Sequence, residues 1–227
     1  MKKQANTLGA LILCVLIVLL AAAQTMGQAR EAADDETAEM LFRRGSDYYY
    51  GFVVEKDINK ALILWEDAAN KGHAVAQYRL ATLYDRGMES LAPDPQKALQ
   101  LYRSAARQGY VEAQLELAER YLAGDVVEKD DAKAYQWCRK AAENGSAEAQ
   151  CMLSDMYGNG LGVKLDYVQA YMWCKMAADR KSRKCNKARL KKLASSMTPL
   201  QVAEALELEK LFYYEKALEA APAAGTN

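Results

Sequence analysis

A ten-residue phrase occurs three times along the chain: AANKGHAVAQ from Ala68, AARQGYVEAQ from Ala105 and AAENGSAEAQ from Ala141. Setting the copies in register brings other columns into phase. Tyrosines fall at Tyr48, Tyr84, Tyr121 and Tyr157; glycines at Gly51, Gly87, Gly124 and Gly160; aspartates at Asp57, Asp94, Asp130 and Asp166. Alanines follow at Ala61, Ala98, Ala134 and Ala170, then as pairs ending at Ala69, Ala106, Ala142 and Ala178. Successive markers stand 36 or 37 residues apart, which is the signature of a stacked repeat.

Each unit reads as two helices. In the second, Ala76, Leu80, Ala81 and Tyr84 share one helical face, and Gly87 supplies the left-handed residue that closes a helix C-terminus. Asp94 is a natural N-cap, and Pro95 suits the first turn, where no backbone N–H is needed. Ala98, Leu99, Leu101, Tyr102, Ala105 and Ala106 form the buried stripe of the second helix, which Gly109 stops. The repeated phrase is therefore a joint between units. A single helix pair cannot cover its own apolar face, so the pairs must stack, and four are present. The spacing predicts units over residues 40–75, 76–112, 113–148 and 149–181.

The columns A-x-x-x-L-[GA]-x-x-Y-x-x-G, D-x-x-x-A and A-A-x-x-G over residues 40–181 resemble the Sel-one-like repeat, a relative of the tetratricopeptide repeat. The resemblance implies an all-α fold, a right-handed α-α superhelix or solenoid of four helix-turn-helix repeats, serving as a non-enzymatic adaptor in bacterial envelope, signalling or host-contact proteins. Two terminal departures stand out: Met40 and Arg44 replace the usual Ala and Leu in the first unit, and Lys181 replaces the joint glycine in the fourth.

Outside the repeats, Lys2 and Lys3 precede the uncharged run LGALILCVLIVLLAAA, Leu8 to Ala23, with small residues that suit a cleavage site at Gly27 and Ala29 or at Ala21 and Ala23. A bilayer span needs about 20 apolar residues. The layout over residues 1–29 predicts a cleaved export signal, with an uncleaved anchor as the alternative. Residues 30–39 read as a linker and 221–227 as a disordered tail. The expected location is the periplasm or the exterior, or the inner membrane if the anchor stays. After residue 29 the chain has 28 Lys and Arg against 30 Asp and Glu, a balance that calls for no nucleic-acid partner.

Residues 182–220 read as capping helices that close the stack. Thr198, Pro199 and Gln201 have the pattern of an N-cap, a first helical residue and a reciprocal cap. Leu200, Leu211 and Leu218 lie on one side of this helix, and Val202, Leu206 and Tyr213 lie nearly opposite. Either both sides are buried under the last turn, or one seals the stack and the other meets a second molecule. Residues 180–192, RKSRKCNKARLKK, carry eight basic side chains and no acidic one. They read first as a solvated capping face that complements the preceding helix C-terminus, and second as a surface for an acidic partner or anionic lipid.

Four cysteines follow the signal: Cys138, Cys151, Cys174 and Cys185. Export favours bridging, and the local pairing Cys138–Cys151 with Cys174–Cys185 costs least in geometry; Cys138–Cys174 joins equivalent sites of neighbouring units. Four small buried thiols are the alternative.

Catalytic chemistry finds no foothold. The single histidine, His73, follows a helix-ending glycine and reads as a turn residue. G-x-S-x-G, H-E-x-x-H, C-x-x-C and phosphate-loop patterns are absent, and YGNGLGVKLD at 157–166 joins two helices with no strand before it. Some cysteine-rich secreted relatives in the resembling family imply β-lactam binding or hydrolysis as an alternative, though S-x-x-K is absent. No cofactor and no metal is expected. The expected binding groove for a protein or peptide partner is the outward side of each first helix: Arg43, Ser46, Tyr50, Arg79, Thr82, Arg86, Glu116, Glu119, Asp155 and Asn159.

Overall fold

A computed structural model describes residues 37–88 and 91–220. The export signal, most of the linker and the tail lie outside the described residues. Among the described residues there are ten helices and no strand. They fall into two compact units, residues 37–72 and 73–220.

The first unit holds α1 (Ala38–Tyr50) and α2 (Ile58–Asn70). Thr37 caps α1 and Asp57 caps α2, each accepting the N–H three residues on. Gly45 is buried because Trp65 lies against it: an added Cβ would come within 2.5 Å of Trp65 Cδ1. Trp65 Nε1 donates to the Phe42 carbonyl at 3.1 Å, so the indole is buried without losing its polar partner. Met40 and Arg44 are both exposed.

The second unit repeats this pair. It contains α3 (Ala74–Arg86), α4 (Pro95–Arg107), α5 (Val111–Ala123), α6 (Asp131–Glu143), α7 (Ala147–Asn159) and α8 (Tyr167–Asp179), closed by α9 (Lys187–Ala194) and α10 (Pro199–Ala220). Asp94, Asp130 and Asp166 cap the second helix of each pair, and Pro95 stands in the first turn as expected. The first helices begin two residues before the expected unit boundaries. The joint residue caps them: His73 Nδ1 accepts from Ala76 N at 3.1 Å, and Ser146 Oγ from Ala149 N at 3.2 Å. Likewise α1 begins at Ala38, inside the expected linker.

The phrase at each joint works through three residue types. Its alanines, among them Ala105, Ala106, Ala141 and Ala142, are buried where helices approach closely. Its glycine takes φ +89° at Gly109 and Gly145, a conformation that side chains resist. Its glutamine is buried too: Gln114 Nε2 donates to the Ala106 carbonyl and Gln150 Nε2 to the Ala142 carbonyl, both at 3.1 Å. The amide thereby satisfies a carbonyl near the end of the preceding helix.

Two expectations are corrected in this unit. The disulfide joins Cys151 to Cys185, with Cα atoms 5.6 Å apart, and the local pairs Cys138–Cys151 and Cys174–Cys185 do not form. Cys138 does face across the joint, but its thiol donates to the Ala149 carbonyl at 3.2 Å. Cys151 lies two residues further, about 200° round the helix, and meets the cap instead. Cys138 and Cys174 are buried free thiols. The second correction concerns α10. Its side bearing Ala205, Leu208 and Phe212 packs on the stack, with Phe212 edge-on to Trp173. Leu200, Leu211 and Leu218 are exposed, so the helix is not buried on both sides. The cap at its start is as read from sequence: Thr198 N donates to Gln201 Oε1 at 2.8 Å, and Gln201 N to Thr198 Oγ1 at 3.3 Å.

Candidate functional site

In the first unit, Arg43 is exposed and ion-paired with Glu39 at 2.6 Å. Ser46 turns inward along its own helix, donating to the Phe42 carbonyl at 2.8 Å. Tyr50 is exposed and stacks on Phe52, with ring centroids 5.3 Å apart.

The expected groove residues of the second unit do not share one role. Thr82 and Glu116 belong to a network that ties the second repeat to the third. At its centre is Arg120, only 4% exposed, whose Nη2 donates to Asp85 Oδ2 at 2.6 Å and Glu116 Oε1 at 3.0 Å. Its guanidinium stands over the Tyr102 ring, 5.2 Å from the centroid, and the Tyr102 hydroxyl donates to Thr82 Oγ1 at 3.4 Å. Burial works against the cation, but the charge of Asp85, then the hydrogen bond to it and the charge of Glu116, hold the guanidinium above its ordinary range. Burial also pushes the Tyr102 phenol up to about 12. Thr82 and Glu116 are thus committed to holding helices together. Arg79, Arg86 and Glu119 remain exposed. Loss of water around the Glu119 carboxyl raises its pKa, helped by the charges of Glu116 and Glu148.

Asp155 and Asn159, on the last turns of α7, line a cavity of about 640 Å³. The opposite wall is the basic segment: Lys184, Arg189 and Lys192, with Asn186 and Ser196. Local chemistry explains how these residues arrive there. The Cys151–Cys185 bridge fixes the entry to α9, Asn186 caps that helix by accepting from Ala188 N and Arg189 N, and Leu190 and Leu193 pack on the cysteine cluster. Successive turns of α9 then aim Arg189 and Lys192 at α7. Arg189 forms an ion pair with Asp155, and Lys184 with Glu148 at 3.0 Å. On the cavity floor, the buried Ser154 hydroxyl donates to the Ala170 carbonyl at 2.7 Å. Among the described residues, no group of three His, Cys, Asp or Glu side chains could hold a metal ion.

Arg120 is what sequence reasoning overlooked. Arg120 shares its column with Asp47, Leu83 and Met156, so a charge where the two flanking repeats carry apolar residues was the available signal. The basic run reads from sequence first as a solvated face; Lys184 and Lys192 are exposed, and with Arg189 they also line one side of the cavity.

Comparison with known proteins follows the same lines. The Sel1 repeat family model matches residues 38–73, 74–110, 111–146 and 147–182. No curated protein matches the chain. Among solved structures, c5321, a protective antigen of uropathogenic Escherichia coli strains displaying an SLR fold, is 28% identical with a TM-score of 0.50, over 87% of this chain and 52% of its own. A Sel1 repeat protein from Oxalobacter formigenes is 32% identical with a TM-score of 0.59, over 66% of this chain and 43% of its own. The chain therefore spans about half the length of the structures it matches.

Proposed function

The chain belongs to the Sel1 repeat family, and from that premise we propose that it is an exported scaffold that holds a protein or peptide partner in the cavity between α7 and α9. Sel1 repeats generally mediate protein–protein interaction, and their fold is typically a non-enzymatic scaffold. One observation carries the finer reading: Asp155 and Asn159, on the outward side of a repeat helix, open into a cavity whose far wall is cationic. A rigid wall limits the side-chain freedom lost on binding. A photoreactive side chain at Asn159 tests this. It should crosslink a partner from envelope extract, and Lys192→Glu should abolish the crosslink; labelling that ignores Lys192→Glu overturns the reading.

Export rests on the charged, apolar and small-residue order of residues 1–29. No helix among the described residues is long and apolar enough to cross a membrane. N-terminal sequencing of the purified chain separates the two forms. A start just after Ala29 or Ala23 supports a released scaffold, whereas a start at Met1 leaves a tethered one. The envelope role follows from that placement and falls with it.

A second reading has its own observation. Leu211, Tyr214 and Leu218 form an exposed stripe on α10, at 54%, 63% and 57% exposure. Such a stripe suits self-association through the C-terminal helix. Leu211→Asp should then lower the mass measured by light scattering, and an unchanged mass removes this reading.

A further inference from the structure

We infer that the cavity between α7 and α9 receives the acidic segment Glu31–Glu36 of a second copy of this chain, so that copies join head to tail.

The cationic wall is under-compensated. Of the eight basic residues in 180–192, Lys184 is paired with Glu148 and Arg189 with Asp155. The remaining six (Arg180, Lys181, Arg183, Lys187, Lys191 and Lys192) have no ion-pair partner among the described residues, and Lys192 lines the cavity itself. Arg189 Nε is buried and lacks a hydrogen-bond acceptor. Asp155 is the sole acid on the cavity wall, and it is already engaged. The site therefore lacks carboxylates, and a buried donor without an acceptor is costly enough to favour a ligand that brings one.

The complementary charge is in the same sequence. EAADDE at 31–36 places Glu31, Asp34, Asp35 and Glu36 within six residues without a base among them. It lies outside the described residues, immediately before Thr37, the N-cap of α1. Six extended residues reach about 20 Å, enough to cross a cavity of this size. The segment belongs to the sequence before the first repeat and the cavity to the fourth, and a second copy supplies the same acidic charge to it. A segment folded onto its own chain would instead leave the protein monomeric, so the dependence of mass on concentration decides between them. Because the two surfaces differ, the contact is heterologous and propagates along a row of molecules rather than closing as a two-fold dimer. Its strength is electrostatic, so salt must weaken it.

Sedimentation of the purified chain, after confirming that it retains residues 31–36, tests this. At low salt the average mass should rise with concentration, and at roughly 0.5 M salt, where screening acts within a few ångströms, it should return to the monomer. Asp34→Lys with Asp35→Lys should abolish association, as should Lys184→Glu with Lys192→Glu. Mixing these two variants should restore it, because each then offers the charge the other lacks. Lys184 and Lys192 are exposed, and unchanged helicity by circular dichroism confirms that the variants fold. A wild type that stays monomeric at every concentration, or a mixture that fails to associate, overturns the inference. Association that survives both reversals but disappears with Leu211→Asp also overturns it and assigns contact to the α10 stripe.

Discussion

The joint between the second and third repeats and the joint between the fourth repeat and its cap connect equivalent elements by different chemistry. In the interior, α3 is linked to α5 by a buried guanidinium shared between Asp85 and Glu116, above the Tyr102 ring. At the end, α7 is linked to the entry of α9 by the Cys151–Cys185 bridge. The interior joint has helices on both sides to bury its polar groups. The cap lacks that cover: α9 spans eight residues and has no buried residue of its own. A covalent link holds where the available apolar area is small.

The largest test of this contrast removes the bridge. Cys185→Ala opens a link between residues 34 apart, which the chain-entropy relation values at about 3–4 kcal/mol. The loss should stay local: hydrogen exchange should accelerate in α9 and α10 while α3 to α5 keep their protection. The same comparison has a chemical check. Burial pushes the Cys138 thiol up to about 12 and the Cys174 thiol up to about 11, so neither should alkylate in the native protein near neutral pH. After unfolding without reductant, mass mapping should find label at Cys138 and Cys174 and none at Cys151 or Cys185.

Next comes Arg120→Ala, which leaves Asp85 and Glu116 facing each other's surroundings without their cation. A loss of about 3 kcal/mol is expected in denaturant unfolding, at the lower end for a buried ion pair because both carboxylates keep some solvent. Unlike loss of the bridge, this change should loosen the second and third repeats and spare the cap.

A smaller difference separates the two joint glutamines. Gln114 donates to Ala106 and its Oε1 accepts from Asn144 at 3.3 Å, whereas Gln150 donates to Ala142 and its Oε1 has no partner. Gln114→Leu should cost about 2 kcal/mol and Gln150→Leu about 1 kcal/mol in unfolding free energy, since only the first gives up a full set of bonds.

The smallest effect runs in the other direction. Lys181 replaces the joint glycine and holds φ +62°, a left-handed backbone that costs a side-chain-bearing residue about 1 kcal/mol. Lys181→Gly should stabilise the fourth repeat against its cap by about that amount in thermal unfolding, and no comparable gain is available at Gly109 or Gly145, where glycine already stands.

The phase of the repeats, the aspartate caps and the Thr198 cap were legible because each depends on residues within a few positions of one another. The cysteine pairing was not, although the register contained a hint. Trp65, Tyr102, Cys138 and Cys174 occupy one column, while Gly45, Ala81, Ala118 and Ser154 occupy another. Gly45 and Ser154 meet Trp65 and Cys174 respectively across their helix pairs. Reading that pairing of small with large side chains would have marked Cys138 and Cys174 as packing residues, leaving Cys151 and Cys185 to bond. Of the expected groove, Asp155 and Asn159 meet in a cavity; Thr82 and Glu116 proved to be fastenings.

The amino-acid order alone determined that the chain forms paired helices, where the aspartate-capped helices start, where the glycines stop them, and that the pairs recur in phase, because capping, turn conformation and apolar periodicity are local properties. Which thiols bond, which charge is buried and which basic side chains become a cavity wall were decided only when helices distant in sequence packed. Those outcomes depend on the direction each side chain takes around its helix, and a rotation of 100° per residue turns a small error in register into a different neighbour.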